Sequence, residues 1–235
     1  MSLSEKIEIM YFTDMLCVWA YLEQVRIDEL KSKYGLKINF NYHFIPVFGS
    51  VKSKISKDWN DRGGVKAYSE FVKGVADKFD HVKIHNNIWV ANTPVSSTNC
   101  HLFLKALQLL EKSDELSENE CIVDEGKTIL ETAVWHLRCA FFERLLDLSH
   151  AENLYLIAEK LNLPVGKIKH LIDSGVAHAS LDDDSKLKQE YSVKGSPTLV
   201  FNEGRQIIYG NVGYRVVEAN IEELLRNNNQ SASWC

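Results

Sequence analysis

The sequence predicts an α/β domain interrupted by a long helical insert, and three observations carry that prediction. The first 45 residues read strand–helix–strand, roughly the last 40 read strand–strand–helix, and from about residue 52 to 190 the apolar patterns have helical rather than alternating spacing. With 235 residues, 45% of them hydrophobic and 25% charged, the chain can bury the core of one large domain or of a domain carrying a second as an insert.

Taken in order, "KIEIMYF" is a short apolar run rich in β-formers, as in a strand buried on both faces. Val18, Leu22, Val25 and Leu30 recur at helical spacing, and Gly35 is placed to end that helix. "LKINFNYHFI" alternates and is aromatic, predicting a second strand, parallel to the first through a right-handed crossover. In the insert, "VKAYSEFVKGVADKF", "NCHLFLKALQLLEK", "ENECIVDEGKTILETAVWHLRCAFFERLL", "AENLYLIAEKL" and "PVGKIKHLIDSG" read as helices. "TLVFNEGRQIIYG" is a hairpin about Asn-Glu-Gly, and the helix that follows puts Val217, Ile221, Leu224 and Leu225 on one face. The resulting division is 1–50 plus 190–227 for the α/β domain, 51–189 for the helical insert and 228–235 for a flexible tail exposing Cys235.

A formal net charge of −5 and a pI near 5.9, with no basic stripe, argue against a nucleic-acid partner, which needs cations to displace counterions from phosphate. Acidic residues within the first ten, no signal-peptide core and no apolar run of spanning length predict a soluble, cytoplasmic protein with no membrane partner. Five widely spaced cysteines suit reduced thiols better than a disulfide framework. No C-x-x-C, no H-E-x-x-H and no convergent His/Cys set predicts a metal, and no glycine-rich phosphate loop appears. Asp182-Asp183-Asp184 is expected to be a solvated helix start rather than a cation site, and His43 a satisfied strand residue rather than a base.

The chemistry gathers at two corners. In "DMLCVWAYLEQ", Cys17 stands between the first strand and the first helix, where the helix dipole and unpaired N–H groups lower a thiol's pKa. Free cysteine is also among the most buried and inert residue types, so both readings of Cys17 stand on the residues alone. In "VKGSPTLV", a proline opens an apolar strand, where it cannot donate to the ladder. A cis Ser196–Pro197 bond there would leave the Ser196 backbone groups free for an extended ligand, against the commoner alternative of a trans proline on an edge strand.

With both corners in the same order along the chain, the sequence resembles the DsbA-like thioredoxin superfamily, especially its FrnE-type thiol–disulfide oxidoreductases, over nearly its whole length. "CVWAY" is similar to that branch's C-P-W-C-Y, matching Cys17, Trp19 and Tyr21, and "GSPTLVFN" is similar to its cis-proline strand. "CHLFLKAL" resembles a segment that opens the helical insert, matching His101. The resemblance implies a thioredoxin-like fold with an inserted all-helical domain, Cys17 as nucleophile, and Trp19, Ser196 and Pro197 lining the substrate groove. It departs at Val18, where the family has proline, and at Ala20, where the family has the resolving cysteine. A mixed disulfide at Cys17 would then be resolved by an outside thiol such as glutathione, or by Cys100. Otherwise Cys100, Cys121 and Cys139 are helix-core residues. "DMLCVWAYL" is also similar to the D-x-L-S-P-Y-S-W-L pattern of kappa-class glutathione transferases and 2-hydroxychromene-2-carboxylate isomerases, with Asp14, Leu16 and Leu22 matching.

The expectation is therefore an enzyme, a monothiol thiol–disulfide oxidoreductase with no tightly bound cofactor and glutathione as co-substrate. It acts on a thiol or disulfide substrate, small or protein, and the resemblance makes a homodimer plausible. The alternatives are a glutathione-dependent transferase or isomerase using the same residues, and a catalytically silent binding protein that kept the fold.

Overall fold

The computed structural model describes residues 6–226, so the expected tail at 228–235, with Cys235, lies outside the described residues. Strand β1 (Ile7–Thr13) buries Ile7, Ile9, Tyr11 and Phe12, with Glu8 turned outward to accept from Asn39 and Asn41. Helix α1 (Val18–Tyr34) follows and stops at Gly35, whose φ of 52° is reached without penalty only by a residue lacking Cβ. Lys31 and Lys33 in its last turn face the negative end of the helix dipole. Strand β2 (Ile38–Phe44) returns parallel to β1, in register from Ile7 with Ile38 to Thr13 with Phe44.

The insert contributes α2 (Val51–Trp59), α3 (Gly64–Ala76), α4 (Thr98–Lys112), α5 (Ile129–Phe142), α6 (Ala151–Lys160), α7 (Val165–Asp173) and α8 (Val176–Glu190). Strands β3 (Thr198–Phe201) and β4 (Gln206–Tyr209) then add antiparallel partners, and α9 (Tyr214–Arg226) closes the described chain. The sheet order is β2-β1-β3-β4, which is the thioredoxin-like arrangement with a helical insertion.

Four details differ from the sequence reading. The helix expected from residue 118 begins only at Ile129, behind a capping box in which Thr128 and Glu131 exchange side-chain-to-backbone hydrogen bonds. Cys121 consequently lies in irregular chain, half-buried, and is not a helix-core residue. Val25 stands exposed on α1, and Ile27 takes its place in the core. Most consequential, Asp182, Asp183 and Asp184 sit within α8 rather than at its start, and Asp184 is buried.

Helix α4 explains that burial. His101, Lys105 and Gln108 lie at successive turns on one face and meet the strand side of the molecule. Gln108 donates to the Tyr42 carbonyl, and Lys105 donates to Asp184 at 3.1 Å. Asp184 also meets His43 Nδ1 at 2.8 Å and accepts from the Phe44 N–H. His43 is thus the satisfied strand residue expected, held by an aspartate from the insert. One continuous apolar cluster runs through both the α/β part and the insert, with Tyr21 of α1 stacked on Phe142 of α5 at 4.7 Å.

Candidate active site

Cys17 is the N-cap residue of α1, its backbone still extended at φ −82° and ψ 116°. Its N–H bonds the Asp14 carbonyl, and its carbonyl accepts the first intrahelical bond, from Tyr21. No N-cap side chain bonds the first turn, so the amide groups of Trp19 and Ala20 are left facing the sulfur.

The other corner closes over that sulfur from 179 residues away. The Ser196–Pro197 peptide bond is cis, and the Cys17 thiol donates to the Ser196 carbonyl at 3.2 Å. Ser196 Oγ accepts the Asp14 N–H at 2.9 Å, tying the turn before Cys17 to the proline loop. Gly210 donates to the Pro197 carbonyl, and Thr198 Oγ1 to that of Gly195, so the loop is braced from its own hairpin. Tyr209 lies directly against Gly195, where an added Cβ would meet its ring at 3.2 Å.

Beneath the thiol sits a polar hub. The Asp14 carboxylate is fully buried and accepts from the Leu16 N–H and the Phe48 N–H, each at 2.8 Å, and from the Ser97 hydroxyl at 2.9 Å. His101 accepts the Met15 N–H on Nε2, 3.8 Å from Asp14, and stacks on Phe44. That bond assigns the ring proton to Nδ1, which is sealed and unpartnered. Burial pushes the His101 pKa down against the pull of Asp14, so the ring is neutral. Asp14 and His101 therefore position the Cys17 turn and do not face a ligand.

The electrostatics run against the sequence expectation of a depressed thiol pKa. Cys17 is only 6% exposed, and burial pushes its pKa up. The Ala20 amide, the Ser196 hydroxyl and the Trp19 amide pull it down, while the Asp14 charge adds to the rise. The helix end acts as expected, and desolvation outweighs it. The resting sulfur is a protonated thiol that donates its hydrogen to the Ser196 carbonyl.

Ala20 is wholly buried, and the Tyr11 hydroxyl reaches its carbonyl. Trp19 is half-buried and meets Phe71 of the insert edge-on at 6.4 Å. Cys100 is buried, and desolvation raises its pKa. Cys139, beside Tyr21 and Glu143, is pushed up to about 12, first by burial. Neither has the exposure or thiolate character of an attacking sulfur. Among the described residues no group of three or more His, Cys, Asp or Glu side chains could hold a metal ion, and no helix is long and apolar enough to cross a membrane.

Sequence reading missed Ser97 and Arg138. Ser97 looks like a helix cap but spends its hydroxyl on Asp14. Arg138, a lone charge inside the apolar run "AVWHLRCAFF", is fully buried and donates to Thr13 Oγ1 and Gln24 Oε1. Such an isolated arginine is the available signal, since a buried guanidinium demands acceptors.

The fold has close structural counterparts. A putative protein disulfide isomerase from Nitrosomonas europaea superposes with a TM-score of 0.71 at 13% identity, covering 94% of this chain and 98% of that one. A 2-hydroxychromene-2-carboxylate isomerase gives 0.63 at 15% identity, covering 94% and 97%. The cytosolic disulfide reductase DsbM from Pseudomonas aeruginosa, solved with GSH, gives 0.63 at 13% identity, covering 94% and 100%. At such identities the likeness is one of fold. No curated protein sequence matches the chain. The model of the DSBA-like thioredoxin domain matches residues 8–222, and the chain belongs to that family.

Proposed function

We propose that this protein is a monothiol thiol–disulfide oxidoreductase that works through a mixed disulfide at Cys17, with glutathione as the resolving co-substrate. The observation that carries the reading is the meeting of the Cys17 sulfur with the carbonyl of Ser196, at the head of a helix and against the cis-proline loop. Asp14, Ser97 and His101 hold the turn, Trp19 walls one side, and Ser196 and Pro197 shape the other. The Cys17 thiolate attacks one sulfur of a disulfide R–S–S–R′; the new Cys17–S–S–R bond forms as R′S⁻ leaves and takes a proton. Ala20 offers no second thiol, so one glutathione displaces RSH and forms Cys17–S–SG. A second attacks the glutathionyl sulfur, freeing Cys17 as glutathione disulfide departs. One disulfide is reduced to two thiols and two glutathiones are oxidised. A reducing cytosolic compartment would supply that glutathione.

A second reading is favoured by one observation: the resting Cys17 is a protonated donor. A bound glutathione thiolate could accept that hydrogen, making Cys17 the holder of the sulfur in a glutathione-dependent isomerase or transferase.

Intact mass after brief exposure of reduced protein to glutathione disulfide separates these. The oxidoreductase forms one adduct that disappears in Cys17→Ser. Absence of that adduct, with reduced glutathione binding non-covalently, favours the second reading. Absence of both leaves a silent binding protein.

A further inference from the structure

The wall that Trp19 forms beside the thiol does not end with its own ring. Phe71 of α3 meets Trp19 edge-on at 6.4 Å, and Trp59, the last residue of α2, lies 5.1 Å from Phe71. The Arg62 guanidinium then stands 5.7 Å over the Trp59 ring. Starting two residues after Cys17, a shelf of three rings thus leads along the insert to a cation. Phe71 is 39% exposed, and Trp19 and Trp59 are half-buried, so these rings present surface to solvent rather than closing a core.

Charge says what such a shelf complements. Arg62 is exposed, and among the described residues no carboxylate bonds it, since Asp58 in the same stretch is bridged to Lys54 at 2.6 Å. A guanidinium over an indole face still presents its N–H edge, which matches a carboxylate. The surroundings favour an anion too. Residues 51–66 hold five lysines and arginines against two aspartates, in a chain whose net charge is −5. Three rings ending in an unpaired guanidinium are the complement of one molecule with an aromatic body and an acid beyond it.

We propose that Phe71, Trp59 and Arg62 determine substrate specificity together with Trp19, and that they select a small disulfide whose organic group carries an aromatic ring and a carboxylate. The ring lies on Trp19 and Phe71, and the acid turns toward Arg62 across Trp59. This rests on Cys17 being the attacking thiol and adds to that reading the class of its substrate. In the step itself the Cys17 thiolate takes the sulfur that bears the shelved ring. The Cys17–S–S–R bond forms, and R′S⁻ leaves with the electron pair of the broken S–S bond. The shelf residues exchange neither protons nor electrons; they bind R.

The test uses symmetrical disulfides that separate ring from acid: dithiobis(nitrobenzoate) has both, dithiodipyridine the ring alone, dithiodipropionate the acid alone, and bis(hydroxyethyl) disulfide neither. Rates of adduct formation at Cys17, read by peptide mass, are compared as variant over wild type for each reagent, so intrinsic reactivities cancel. Phe71→Ala should slow both ringed reagents about fivefold and leave the other two unchanged. Arg62→Gln should slow the ringed acid about threefold and spare dithiodipyridine and dithiodipropionate. A thermal melt checks both variants, and Arg62→Gln alone decides if Phe71→Ala melts early. The proposal is overturned by variants that slow nothing, by a Phe71→Ala that slows every reagent alike, or by an Arg62→Gln that slows both acids alike. If no disulfide reacts at the wild-type Cys17, the oxidoreductase reading falls by itself. Saturation-transfer NMR with naphthoate, an unreactive ringed acid, then decides the shelf: a signal lost in both variants keeps it, and no signal, or one the variants leave unchanged, strikes it out.

Discussion

Two buried aspartates, Asp14 and Asp184, are built alike and do opposite things. Each accepts a backbone N–H from the chain at or just beyond β2, Phe48 for Asp14 and Phe44 for Asp184, and each faces helix α4. Asp184 meets a cation there, Lys105, with His43 as a further partner. Asp14 meets neutral donors, two amides and a hydroxyl, beside a histidine that burial keeps uncharged. The charge at Asp184 is matched and serves as a clamp between insert and sheet. The charge at Asp14 is solvated by fixed dipoles but left unmatched, and the thiol three residues on feels it. Carboxylates with similar backbone partners thus divide into fastening and tuning according to what α4 presents to them.

The strongest way to break this comparison is Asp184→Ala. It strands Lys105 in the interior, which is 4% exposed and already has its pKa lowered by burial. Loss of one partner of a buried pair should cost about 3–5 kcal/mol in chemical denaturation; a variant that unfolds like wild type would dissolve the idea of a clamp.

Next comes a third buried carboxylate, Glu23, paired with Arg26 at 2.8 Å and pushed up to about 7, first by burial. Between its reference value of 4.5 and about 7, the folded protein holds a proton the unfolded chain has lost. Stability therefore falls as pH rises through that window and levels off above it, by up to about 3 kcal/mol. Denaturation at a series of pH values should show this slope in wild type and its loss in Glu23→Gln.

Asp14→Asn sharpens the comparison from the other side. It removes charge while keeping one acceptor, so about 1–3 kcal/mol of stability should go. The Cys17 pKa should fall, because the Asp14 charge had been raising it. Alkylation rates against pH read this, and a profile that moves upward or stays put contradicts the tuning role. The smallest effect is at Asp182, two residues from the clamp but exposed and bridged to Lys186 at 2.9 Å. Asp182→Ala should leave the denaturation midpoint unchanged.

By itself, the sequence determined the order β1-α1-β2, the hairpin, the closing helix, the helical character of the insert, and the two corners holding Cys17 and Pro197. These are local matters: an apolar period, a glycine stop, a turn tripeptide and a proline at a strand start act over a few residues. Element limits slipped where a local cap was overlooked, as at Thr128. Tertiary structure alone decided the burial of Asp184, the hub at Asp14 and the state of the Cys17 thiol. The helix end that should lower that thiol's pKa is local and legible. The burial that outweighs it depends on how chain as far away as Ser196, 179 positions on, folds over the sulfur, although the Ser196 hydroxyl itself pulls the other way. A dielectric environment is a sum over everything that folds around an atom, and no window along the chain contains it.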